Sequence, residues 1–312
     1  MHNRPSFRMH ASRSLALTVL IWAFRFSLAS AQVPSTPSAP SAQTALMEFL
    51  VQYLREVGTC NPQGPCDPTP DKLERLKAMS EKTEQWSPIP PSVTLGAPGA
   101  PPSDAIVLFD GTNLDQWVDS HNHSPADWTV NGGILTVNKA AGDIKTKQRF
   151  GSYQLHLEWR IPKDITGEGQ SRGNSGLFLA IPGPGLGNYE IQILDSWNNT
   201  TYVNGQAAAL YMQVPPLVNA SRPPGEWQTY DVIWHAPSFN ADGSLKRRAD
   251  VTIFHNGVLV QDHTLVKGET NLLDKMPNPH YDRAPIGLQS HPDPSESIDF
   301  RNIWLRPISN EE

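Results

Sequence analysis

The stretch NYEIQILDSW, residues 188–197, sets Glu190, Gln192 and Asp195 within six residues of a strongly apolar run. Strand alternation puts Tyr189, Ile191 and Ile193 on one face and Glu190, Gln192 and Leu194 on the other. Glu190 in such surroundings is a candidate acid–base group. A second candidate is His291, since an unperturbed imidazole titrates near ~6.5 and suits proton shuttling. It follows IGLQ, so Gln289 and His291 share one strand face. In QSRGNSGLFLA, Arg172 supplies a fixed positive fork, and Asn174 and Ser175 supply neutral hydrogen bonds. Gly173 and Gly176 let a ligand approach the backbone. Plainer readings stand beside these: an exposed strand carboxylate, a turn histidine before Pro292, and a turn entering a strand at 177–180. His156, His235 and His255 read as structural or exposed. Glu190, Asp195 and His291 would make an oxygen/nitrogen site for a divalent metal if adjacent, although no compact ligand motif requires one.

The elements that must position these groups are strands. The 312 residues include 29 prolines and 22 glycines, which favours strands and turns over long helices. WTVNGGILTV reads as two strands joined at Asn131-Gly132, and His255-Asn256-Gly257 marks another hairpin. SYQLHLEWRI sets Tyr153, Leu155, Leu157, Trp159 and Ile161 on one face. About a dozen such runs over roughly 200 residues predict an all-β sandwich or jelly roll. The net charge is −6 and no basic stripe is present, which excludes nucleic acid as an expected partner.

The N-terminal part has a different character. Arg4, Arg8 and Arg13, the apolar stretch 15–24 and Ala29-Ser30-Ala31 read as a signal peptide over residues 1–31. The expected location is periplasmic or secreted, with the mature chain starting at Gln32. The apolar stretch is shorter than the ~20 residues a membrane span needs, so no span is expected after cleavage. Residues 32–43 form a flexible Pro/Ser linker. Residues 44–86 show helical spacing in Leu46, Phe49, Leu50, Tyr53, Leu54 and Val57 and again near Leu73, Leu76 and Met79. We expect a helical hairpin there, clipped by a Cys60–Cys66 disulfide, because a close pair in an exported chain favours a bridge. A Pro-rich linker, 87–103, leads to the β domain, 104–308.

Within that domain IVLFDGTNLDQW, WTVNGGIL, GDIKTKQRFGSYQLHLEWRI, RGNSGLFL, YEIQILDS, RPPGEWQTYDVIWHAPSF, VTIFHNGVLVQD and PIGLQSH…FRNIWLRP occur in order. The series resembles the 3-keto-disaccharide hydrolase domain family from Ile106 to Pro307. The resemblance implies a concanavalin-like sandwich of two curved antiparallel sheets, related in fold to family 16 glycoside hydrolases, with the ligand in a groove. Those hydrolases carry Glu-x-Asp-x-x-Glu with a β-bulge, and Glu190-x-Gln192-x-x-Asp195 has the same spacing. A bulge near Leu194 would turn Asp195 onto the Glu190 face. The central Asp is Gln here and the last Glu is Asp, so an ordinary glycosidase pair is not expected.

The resemblance further implies a glycoside already oxidised at C3 by an upstream sugar 3-oxidoreductase. The ketone acidifies the C2–H, so a base can form an enolate, the C1 substituent leaves, and water adds. Glu190 and His291 are the candidate bases, with Asp195 beside them. Arg172, Asn174, Ser175, Gln192 and Gln289 would bind the enolate or hydroxyls, and Tyr211, Trp227 and Trp197 would stack on sugar faces. Two rival readings remain, a non-catalytic carbohydrate-binding module and a conventional family 16-like glycosidase.

Overall fold

The computed structural model describes residues 81–183, 188–270 and 279–308. The chain divides into two compact units, 1–91 and 92–312. The expected signal peptide, the linker at 32–43, Cys60 and Cys66 lie outside the described residues, as does the expected hairpin up to residue 80. At 81–86 the chain makes a turn, the Glu84 amide facing the Glu81 carbonyl at 3.4 Å. No helix among the described residues is long and apolar enough to cross a membrane.

Period-two sequence runs become two antiparallel sheets in the second unit. The larger contains β1 (Ile106–Phe109), β3 (Thr129–Asn131), β4 (Ile134–Thr136), β6 (Tyr153–Arg160), β9 (Trp227–His235), β12 (Asp250–His255), β13 (Val258–Leu265) and β15 (Asp299–Pro307). Its order is β13-β12-β9-β6-β15-β4-β3, with β1 also paired to β15. The smaller contains β2 (Trp117–Asp119), β5 (Ile144–Thr146), β7 (Asn174–Phe178), β8 (Glu190–Leu194) and β14 (Gly287–Leu288), in the order β2-β5-β14-β7-β8. A ribbon of β10 (Ser238–Phe239) and β11 (Leu245–Arg247) stands apart.

The core lies between the sheets. The expected inward face of β6 is buried at Tyr153, Leu155, Leu157 and Trp159, and the chain continues inward at Ile161. Tyr230, Val232 and Trp234 of β9 face Tyr189, Ile191 and Ile193 in one hydrophobic cluster. Two buried phenols satisfy their hydroxyls across the layer, Tyr230 donating to the Gln192 carbonyl at 2.9 Å and Tyr153 to the Leu179 carbonyl at 2.7 Å. The β3–β4 turn differs by one residue from the sequence reading. Asn131 pairs with Ile134, so Gly132 and Gly133 are the central residues, with φ of 57° and 81°. Two glycines satisfy a turn needing positive φ twice, which leaves Asn131 in the strand. The expected turn at Asn256-Gly257 has φ of 53° and 78°.

The later part of the Pro-rich 87–103 segment is tied down. The Gly99 carbonyl accepts from Asn302 Nδ2 at 2.7 Å and from Trp304 Nε1 at 3.1 Å. Arg306 then pairs with Asp104 at 2.6 Å.

Truncating the wholly buried Leu157 to Ala should cost about 2–5 kcal/mol in urea unfolding, because the rigid layer cannot fill the void. Tyr230→Phe, which removes one inter-sheet hydrogen bond, should cost about 1 kcal/mol in the same measurement.

Candidate active site

The β7–β8 ladder pairs Phe178 with Glu190, Gly176 with Gln192 and Asn174 with Leu194. These residues occupy the outer face of the smaller sheet, with Ile191 and Ile193 turned to the core. Glu190 does not extend into solvent. Its carboxyl lies over Gly176, where a Cβ would overlap Oε1 and stand 3.0 Å from Cδ. From there it hydrogen-bonds the Gln289 side chain. Gln289 is brought alongside by its own amide, which donates to the Gly176 carbonyl at 2.9 Å.

Burial is the main force on this carboxyl, and the nearby charge of Asp143 adds to it. Together they outweigh the Gln289 hydrogen bond and push the Glu190 pKa to about 8. Glu190 therefore keeps its proton at neutral pH. Asp143 is also raised by burial and by Asp119, against the Ser290 amide that donates to it at 2.7 Å and the charge of His291. Tyr211 is raised by burial, then by Tyr202 and Glu190, so its phenol stays neutral. The Tyr202 and Tyr211 hydroxyls are 2.8 Å apart.

His291 is held differently. Its Nδ1 is 3.1 Å from Asp293 Oδ2. Burial alone would raise Asp293, but hydrogen bonds from His291, Ser295 and Lys139 prevail and bring it down to about 2. An ionised carboxylate only accepts, so Nδ1 of a neutral His291 carries the proton and Nε2 keeps its lone pair. Glu190 is thus a protonated carboxyl, and His291 is an imidazole oriented through Nδ1 by Asp293. Asp143 acts electrostatically with both.

An amide network closes one end of the face. Gln192 Nε2 donates to Gln170 Oε1 at 2.9 Å and to Asn174 Oδ1 at 3.3 Å. Gln170 Nε2 in turn reaches Thr201 Oγ1 and the Gly205 carbonyl, each at 2.9 Å.

Several sequence expectations fall elsewhere. The β7–β8 register runs without a shift, so the bulge expected near Leu194 is absent there. Asp195, whose amide donates to the Gly173 carbonyl at 3.0 Å, consequently points away from the Glu190 face. It is buried and ion-paired with Arg172 Nε at 2.7 Å, so these two residues hold each other. Ser175 faces inward and donates to the Gln289 carbonyl at 2.7 Å, just past the end of β14 at Leu288, so Gln289 and His291 do not share the strand face expected of them. Trp227 belongs to β9 on the larger sheet, away from Glu190. The trio Glu190, Asp195 and His291 is not gathered, and no metal-ligand group of three His, Cys, Asp or Glu occurs among the described residues. His255 is buried against Gln228 at 2.8 Å, and burial lowers it to about 3.

Sequence reasoning missed Asp143, Gln170 and Asp293. Asp293 had a usable signal, since it stands two residues after His291 as a local orienting carboxylate. Asp143 and Gln170 meet the site only through the folded sheet and left no local signal.

Residues 104–306 match the model of the 3-keto-alpha-glucoside-1,2-lyase-like domain family. The chain belongs to that family. A 3-keto-disaccharide hydrolase from Bacteroides thetaiotaomicron is 26% identical over an alignment covering 41% of this chain and 51% of that protein. The chain thus spans about half the length of the curated relative it matches. A solved structure from Parabacteroides distasonis ATCC 8503, assigned as a glycosyl hydrolase, is 50% identical with a TM-score of 0.68. That alignment covers 73% of this chain and 96% of the other.

The raised Glu190 pKa links stability to pH. The native state holds a proton that an unfolded glutamate releases near pH ~4.3. Its contribution is therefore complete below that pH and is lost as pH rises toward and through about 8. Urea midpoints of the wild type should fall between pH 5 and pH 9. Glu190→Gln, which cannot ionise, should show a clearly shallower fall, and an unchanged slope would contradict the buried proton.

Proposed function

We propose that this chain cleaves 3-keto-glycosides by elimination followed by hydration, with His291 as base and Glu190 as acid. The supporting observation is the pairing of a carboxyl that holds its proton to about pH 8 with an imidazole whose Nδ1 is committed to Asp293. A carboxyl that holds its proton can act as the acid, and an imidazole oriented through Nδ1 can offer Nε2 as the base.

His291 Nε2 takes the C2 proton, and the electron pair moves into the enolate at the C3 oxygen. The neutral Tyr211 phenol and the Gln289 amide are the donors for that oxygen. The enolate reverts to the ketone, C1=C2 forms, and the C1–O bond breaks as Glu190 protonates the leaving oxygen. Water then adds in reverse: the Glu190 carboxylate takes its proton, hydroxide joins C1, and His291 returns a proton to C2. One site so performs a lyase step and a net hydrolysis, consistent with the family's lyase name and the relative's hydrolase name. The substrate would come from a separate sugar 3-oxidoreductase. Residues 1–31 would direct the chain out of the cytoplasm, and N-terminal sequencing of secreted protein should begin near Gln32.

The test uses 3-keto-glucosides in heavy water. His291→Asn should slow C2–H exchange roughly 10²–10⁴-fold. Glu190→Gln should leave exchange largely intact but slow release of an alkyl alcohol by a similar factor. A nitrophenyl leaving group, which needs little protonation, should restore that variant. The alkaline limb of the wild-type rate should fall through about pH 8 as Glu190 ionises. Gly176→Ala, whose Cβ would displace the carboxyl, should behave like Glu190→Gln. Cleavage of unoxidised glycosides without C2 exchange would favour a conventional glycosidase. Binding without turnover of either substrate would favour a carbohydrate-binding module.

A further inference from the structure

The larger sheet carries on its outer face a cavity of about 470 Å³. Its wall includes Trp227, Trp304, His156, Asp231, Arg222 and Arg301. None of these belongs to the smaller sheet that bears Glu190. We infer that this cavity binds a neutral, hydroxyl-rich ligand such as a pyranose, as a second carbohydrate site.

Three observations carry the inference. First, His156 is 4% exposed, and its Nδ1 is 2.7 Å from Asp231 Oδ1. Its Nε2 has no hydrogen-bond partner among the described residues, and Glu158 Oε1 stands 3.7 Å away. With Nδ1–H committed to Asp231, His156 fixes that half-exposed carboxylate at the cavity wall, where it can accept from a ligand hydroxyl. Second, the lining balances charge. Arg222 and Arg301 face Glu158 and Asp231, so the cavity presents donors and acceptors together without favouring an anion or a cation. Arg301 is already paired with Glu158 at 2.6 Å, whereas the Asp231 side chain is 44% exposed and open to a hydroxyl. Third, the aromatic walls are rigid. The Arg160 and Arg301 guanidiniums lie 4.5 Å and 4.0 Å from the Trp227 ring centroid. Trp304 stacks on His156 at 5.2 Å and is anchored through Nε1 to the Gly99 carbonyl. The cavity thus sets two held indole walls among polar and charged groups, the mixture a hydroxyl-rich ligand needs.

The experiment is titration of the full chain with maltose, read by tryptophan fluorescence and calorimetry, with potassium sulfate as the anionic comparison. Saturable maltose binding is expected in the wild type and in Glu190→Gln. Asp231→Ala should weaken it by roughly tenfold or more, because it removes the exposed hydroxyl acceptor of the wall. Arg222→Ala, at an exposed residue, should weaken it too and serves if Asp231→Ala does not fold. Turnover of a nitrophenyl 3-keto-glucoside should stay within about twofold in both variants, since neither touches the Glu190 face. Maltose binding that survives both variants, or that vanishes in Glu190→Gln, would overturn the inference. So would sulfate binding in place of maltose, or no saturable maltose binding. Loss of keto-glucoside turnover in the wild type would defeat only the proposed reaction, leaving the maltose result to stand or fall separately.

Discussion

Much of the smaller sheet's outer face depends on one missing atom. Gly176 has no Cβ, and the Glu190 carboxyl takes that space. Burial there withholds water from the carboxyl, and withheld water keeps the proton on. With a side chain at 176, Glu190 would be pushed toward solvent and its contact with Gln289 would be lost. A backbone choice on one strand thus sets the acid–base character of a residue on the next.

The neighbours fit that constraint. Gln289 offers a neutral amide to Glu190, and no cation is among the groups acting on it. The cationic groups are used elsewhere, Arg172 on Asp195 and Lys139 on Asp293. That distribution keeps one carboxyl protonated and another ionised. The ionised Asp293 then fixes the imidazole of His291. Buried polar groups are costly when unpaired, and the amide net of Gln170, Gln192 and Asn174 shows how the rest of the face is satisfied.

Much of the fold was legible because its rules are local. The alternation of Tyr153 to Ile161 named a buried strand face, and the same alternation separated Glu190 and Gln192 from Ile191 and Ile193. The Asn256-Gly257 turn followed from φ preference alone. The misreadings arose where a decision is not local. Whether β8 bulges at Leu194 depends on its register with β7, and a spacing borrowed from another family could not settle it. Trp227 reads as a plausible sugar platform in one dimension, but only strand order assigns it to the other sheet. Asp143 belongs to the site because β5 and β14 are neighbours, and its surrounding sequence says nothing of Glu190.

The proton on Glu190 also has a calorimetric meaning. Near neutral pH the group lies close enough to its midpoint of about 8 that a ligand favouring either form exchanges a fraction of a proton with the medium. A ligand donating hydrogen bonds into the face draws the proton off, and one accepting from the carboxyl draws it on. The measured heat of occupying this face then contains the buffer's own ionisation enthalpy. Phosphate and Tris, whose ionisation enthalpies differ widely, report different heats for the same event. The slope between them counts the protons moved at a single buried carboxyl.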